Sequence, residues 1–307
     1  MSLLNFKKRD ATAPDTGANT AALEAFLQGY SIEVMPRTAE KVDDFRAILA
    51  PRTRVYIAHI EGTPIEDMVA TAKRIKSEGF DVMPHFPARI IADKATLADW
   101  IARYQAEADV KQALLLAGGV THPVGDFDSS MQLIESGLFG DFDRLHVAGH
   151  PEGNKDIDPD GSMKNVDDAL AWKQKFSETT DAKLALATQF AFDGGPIIAW
   201  ANSIKAAGID LPVHIGIAGP AKLQTLIKFA IACGVGPSLK VLQKRAMDVT
   251  KLLLPYEPTD VLTELANHKV ANPDFNIEQV HFFPLGGIKT NAKWATEHGG
   301  GQPETAA

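Results

Sequence analysis

Apolar residues follow two alternating patterns along this chain. Short continuous runs, "YSIEVMP", "RVYIAHI", "FDVMPHF", "ALLLAGG", "RLHVAGH", "LALATQFAF", "PVHIGIAG" and "QVHFFPLGG", are rich in β-branched or aromatic residues and stop at Gly, Pro, His or Asp. Between them lie segments with helical spacing. "DKATLADWIARYQAEA" puts Leu97, Trp100, Ile101 and Tyr104 on one face, and "GPIIAWANSIKAAG" opens on Gly-Pro and closes on Gly208. Continuous rather than alternating apolar strands fit a parallel sheet buried on both faces. Eight such strands alternating with at least eight helical segments, at a repeat of roughly 25–35 residues, predict βα units closing into a single α/β domain, a (β/α)8 TIM barrel. A doubly wound open sheet would need a switch point and usually a glycine-rich first turn, and no GxGxxG follows the first strand. The expected boundaries are a loose N-terminal extension over 1–20, the barrel over 21–300 and a loose tail over 301–307. Extra helical material at 238–270 is expected outside the barrel, before the last strand.

Composition narrows the function classes. The chain has 307 residues and a formal net charge of −8, so it carries no broad basic footprint for nucleic acid. Its single cysteine, Cys233, excludes a disulfide within the chain and any cysteine-based metal site. Cys233 lies in "FAIACGVG" and reads as core packing. No run approaches a signal peptide or a membrane span, so the expected location is cytoplasmic, without membrane partners.

Active sites of such barrels lie at the C-terminal ends of the strands. Those ends offer Glu33 and Arg37, His59 and Glu61, His85, Gly118 and Gly119, His150 and Glu152, Gln189 and Asp193, Gly216 to Gly219, and Gly286 to Lys289. Glu33, between Ile32 and Val34, is either a solvated residue or an inward carboxyl whose burial disfavours the charged form and suits a general acid. The histidines are either structural or functional. No His-x-His or His-x-x-x-His spacing accompanies them, so no metal is expected. Gln189 could read the amide-like edge of a heterocycle or bond a neighbouring strand. "PLGGIK" has the look of a phosphate loop.

Several segments together resemble the methylenetetrahydrofolate reductase family. "SIEVMPR" is similar to that family's opening "SFEFFPP", "VMPHF" to "APHLT", "LLLAGG" to "ALRGD", "VAGHPEG" to "AAYPEVHPE", "ATQFAFD" to "ITQFFFD" and "VHIGIAGPAKLQTLIKFA" to "IIPGILPVSNFKQAKKFA". They occur in order from residue 30 to about 290. The resemblance implies a barrel that passes hydride from NADH or NADPH through FAD to 5,10-methylenetetrahydrofolate, giving 5-methyltetrahydrofolate for one-carbon metabolism and methionine biosynthesis. It implies Glu33 as general acid. It implies contacts to FAD from His59, His85, Ala117, Gly118, Gly119, His150, Asp168 and Lys175, and to the folate from Gln189, Leu223 and Lys289. The chain departs from the pattern where the family's "RGD" arginine and aspartate become Ala117 and Gly119, and where the second histidine of "HPE" becomes Asn154. Three other readings stay open: direct hydride transfer from NADH to the folate without flavin, a phosphate-binding barrel isomerase or synthase, and a folate-binding protein without catalysis.

Overall fold

A computed structural model describes residues 16–247 and 254–304. Its eight strands are β1 (Ser31–Val34), β2 (Arg54–Ile57), β3 (Asp81–Pro87), β4 (Gln112–Leu116), β5 (Arg144–Gly149), β6 (Lys183–Ala191), β7 (Val213–Ala218) and β8 (Ile277–Phe283). They pair in sequence order, all parallel, and β8 closes on β1. The (β/α)8 barrel expected from the hydrophobic pattern is therefore the fold.

The helices are α1 (Thr16–Leu27), α2 (Pro36–Ala39), α3 (Ile65–Ser77), α4 (Lys94–Ala108), α5 (Ser130–Glu135), α6 (Lys164–Ser177), α7 (Gly194–Ala206), α8 (Leu223–Ala232), α9 (Gly236–Ala246), α10 (Thr259–Ala271) and α11 (Ile288–Glu297). Local sequence explains their ends. Asp93 accepts the Thr96 N–H at the start of α4, and Asp193 accepts the Gly195 N–H at the start of α7. Leu97, Ile101 and Tyr104 are buried as the spacing predicts, while Trp100 is half-buried and lies against the His59 ring.

The pattern misjudges three places. The extra material is α8 and α9 rather than 238–270 as a whole, because α10 packs against α1 and α7 as a member of the outer ring. With Phe190, Phe192 and Tyr256, α8 and α9 build a separate apolar cluster. Parts of the segments expected to be loose are packed: α1 already begins at Thr16, and a Cβ on Gly301 would lie 2.9 Å from that of Ala50. Cys233 is exposed rather than in the core, since α8 turns Leu223, Leu226 and Ala230 inward and Cys233 is its C-cap.

Between β6 and β7 the register shifts between Ala187 and Phe190. Thr188 Oγ1 accepts the Gly216 N–H at 2.8 Å across this bulge. A bulge re-aims side chains near a site, and here Gln189 is exposed within an otherwise buried stretch. A Cβ on Gly216 would lie 2.4 Å from the Thr188 carbonyl and 2.6 Å from that of Gln189. Gly216→Ala is therefore expected to cost about 1–3 kcal/mol through overpacking, read as a lower urea midpoint with an unchanged m-value.

Candidate active site at the barrel mouth

Glu33 sits near the C-terminal end of β1 with its side chain 18% exposed. His85 Nε2 lies 3.3 Å from Glu33 Oε2 and His281 Nε2 lies 3.8 Å from the same oxygen. Burial pushes the Glu33 carboxyl up, but its contact with His281, and the positive charge that either ring carries whenever it is protonated, outweigh it and hold the group below its usual range. The expectation that burial alone would keep Glu33 protonated is thus corrected: the two imidazoles decide the sign. Burial brings His85 down to about 4, so it is neutral near pH 7.

The remaining expected residues divide. Gly118 belongs at the mouth: its φ of +102° and the 3.0 Å approach a Cβ would make to Pro87 Cβ both require glycine. Gly119 faces open space, with nothing within 4 Å of a Cβ, so packing does not forbid a carboxylate there. Ala117 is tied down through its carbonyl, which accepts the Arg89 N–H at 2.9 Å. His150 is half-buried after β5, lowered to about 4 by burial and by the Lys173 charge. Lys173 is itself buried and donates to the Ala148 carbonyl at 2.8 Å. His59 is fixed by the Thr63 carbonyl at 2.9 Å and by Trp100.

Four of the expected residues are not brought to the mouth group. Asp168 is exposed and paired with Lys164 at 2.7 Å. Lys175 is exposed, next to Gln174, whose side chain accepts the Asp210 N–H just before β7, at the opposite end of the barrel. Leu223 is buried in the cluster under α8. Lys289 is exposed on α11, 3.6 Å from Asp43. Nor does "PLGGIK" form an open cradle. The Leu285 and Gly287 N–H groups are taken by the Phe283 and Pro284 carbonyls, and Gly286 is pressed against Pro220 and Ala221. That removes the support for a phosphate loop there.

The strand interiors hold polar residues that sequence reasoning passed over. Tyr56, His146, His214 and His281 are all buried. The Tyr56 ring lies 4.1 Å from that of His281, its hydroxyl is hydrogen-bonded to His146 Nδ1, and Ser31 Oγ is 3.0 Å from His281 Nδ1. Barrel interiors are ordinarily filled by branched aliphatic side chains. The signal was present in "VYI", "LHV", "VHI" and "VHF", where each polar ring is flanked by apolar residues that point the other way. Among the described residues, no three His, Cys, Asp or Glu side chains come together as metal ligands.

These features define a (β/α)8 barrel with a carboxylate–imidazole cluster at the mouth and a polar axis beneath it. No known family profile matches the chain. A stretch of 74 residues is 38% identical to methylenetetrahydrofolate reductase 1 of Schizosaccharomyces pombe, spanning 24% of this chain and 11% of that protein. A Clostridium thermocellum protein described as binding two copies of 5-methyl-5,6,7,8-tetrahydrofolic acid superposes with a TM-score of 0.57. It is 10% identical, over 91% of this chain and 98% of that one, a likeness of fold. No helix among the described residues is long and apolar enough to cross a membrane.

Proposed function

We propose that the mouth binds 5,10-methylenetetrahydrofolate and reduces it to 5-methyltetrahydrofolate with a reduced nicotinamide. One observation carries the proposal: Glu33, on the opening strand, stands inside the mouth within reach of two imidazoles. The local match to the yeast reductase and the folate-binding structural neighbour support it. The FAD contacts that the resemblance implies are incomplete here: Gly119 stands where the family has a carboxylate, and Asp168 is exposed and already paired with Lys164. The transfer is therefore proposed as direct, from the nicotinamide to the folate.

Glu33 gives a proton to N10 as the bond from N10 to the methylene carbon breaks, and the bonding pair stays on N10. The methylene group remains on N5 as an iminium. A hydride from C4 of the dihydronicotinamide then adds to the methylene carbon, so the nicotinamide is oxidised and the folate reduced. One proton and one hydride are consumed per turnover. Gln189, exposed at the bulge, offers both a donor and an acceptor to the pterin edge. Holding donor and acceptor in one mouth supplies the proximity such a transfer requires.

The test is nicotinamide oxidation by the purified protein with methylenetetrahydrofolate, together with its visible spectrum. Oxidation is expected without added flavin, from a colourless protein. A flavin band would overturn the direct transfer. Folate binding without oxidation, with or without flavin, would leave a binding protein and overturn the reductase.

A further inference from the structure

We propose that the polar interior of the barrel is a proton relay running from Glu278 at its N-terminal face to Glu33 at the mouth. The proposal rests on the reading of Glu33 as proton donor and supplies what that reading lacks. A bound folate and nicotinamide would cover the mouth, yet each turnover removes a proton from Glu33.

The members of the relay follow one another along the barrel interior. Glu278 is the second residue of β8 and its side chain is 58% exposed. It borders a hollow of about 320 Å³ that is also lined by Lys205, Asp210 and Asp274. Its Oε2 lies 3.2 Å from His214 Nε2. The His214 ring meets the His146 ring edge-on at 4.3 Å. His146 Nε2 and His214 Nδ1 are both buried without a partner, and they belong to these two touching rings. His146 Nδ1 bonds the Tyr56 hydroxyl, and the Tyr56 ring lies 4.1 Å from that of His281, the ring that Ser31 bonds. Ser31 Oγ reaches His281 Nδ1, and His281 Nε2 faces Glu33.

Every member between the two carboxylates is an imidazole or a hydroxyl, which can donate on one side while accepting on the other. The junction to be closed is the one between the touching His146 and His214 rings, whose facing pair of nitrogens is unpartnered at rest, so a small rotation of either ring must join them for the relay to run. With Glu278 protonated and Glu33 ionised, each hydrogen moves one place toward the mouth. Glu278 then loses a proton, Glu33 gains one, and no ion is left buried between them. Glu278 recovers its proton from water, and rotation of the hydroxyls and rings restores the starting order. Burial above all, and then His214, Arg54 and Arg144, disfavour a charged His146, which keeps the middle of the chain neutral. A purely structural core gains nothing from this arrangement, since burying imidazoles costs more than burying aliphatic side chains.

Two measurements decide the proposal. Nitrogen-15 NMR of the histidines gives the exchange rate of the fully buried His146 ring proton with water. Glu278→Gln, at a half-exposed position, keeps the shape and cannot pass a proton. It is expected to slow His146 exchange at least tenfold. Equal exchange in the two proteins would overturn the relay whether or not the protein reduces folate. In turnover, Tyr56→Phe and Glu278→Gln are expected to lower kcat and the first-turnover rate alike, about tenfold, with KM unchanged, because Glu33 rests ionised and needs a delivered proton in every turnover. An unchanged kcat, or an unchanged first turnover, would overturn service to Glu33. If the wild-type protein oxidises no nicotinamide, the reductase reading fails by itself and the exchange measurement still decides the relay.

Discussion

Glu33→Gln is expected to lower kcat for folate reduction by ~10²–10⁴, the usual contribution of a general acid, while the folate dissociation constant changes by less than threefold. Glutamine keeps the volume and a polar end facing His85 and His281, so the mouth keeps its shape; only the transferable proton is lost. Because the two imidazoles hold Glu33 ionised at rest, its proton must be delivered before N10 leaves. Binding of an uncharged pterin would displace water and strengthen the upward push of burial. Titration of folate by fluorescence, beside steady-state oxidation of the nicotinamide, separates the two quantities. A variant that keeps wild-type kcat would remove Glu33 from the chemistry. A variant that no longer binds folate would make it a binding residue instead.

The second large effect is on stability. Burial lowers both His85 and His214 from an ordinary 6.5 to about 4, and lowers His146 in the same direction. Between those two pH values the unfolded chain binds protons that the folded chain refuses. Stability is therefore fully present above about pH 6.5 and falls as pH drops toward 4. At ~1.4 kcal/mol per pH unit, His85 and His214 each contribute on the order of 3 kcal/mol to that loss. Urea unfolding at pH 7.5, 6 and 5 is expected to show the midpoint falling well before ordinary carboxylates titrate. His214→Gln should flatten the curve by about the share of one site. A midpoint constant from pH 7.5 to 5 would mean that these imidazoles are not held neutral by the fold.

Much of this was legible along the chain. Continuous apolar runs, each closed by a small or polar residue, fit a parallel sheet covered on both faces, and eight βα repeats without a glycine-rich first turn fit its closure into a barrel. The rule that strand ends carry the chemistry points to Glu33, His85 and the Gly118–Gly119 turn, and of these Glu33 and His85 meet in the folded chain. Asp168 and Lys175 show the limit. They share a helix that begins near the mouth, but a helix turns successive residues about its axis, and these two face solvent while Lys173 faces the strands. "PLGGIK" shows another limit. Glycine in a loop permits either a ligand or another segment to come close, and only the position of Pro220 shows that the neighbour is the chain's own backbone.

What the sequence determined by itself was the alternation of elements, and with it the barrel and the mouth, because periodicity is a local property. What only the tertiary structure decided was which polar residues meet. His281 is 248 residues from Glu33, and His146 is 90 from Tyr56. Barrel closure between β8 and β1 brings the first pair together, and the inward turn of alternate strand positions brings the second. The state of the Glu33 carboxyl depends on those meetings: burial and two imidazoles pull it in opposite directions, and their balance exists only once the barrel is closed.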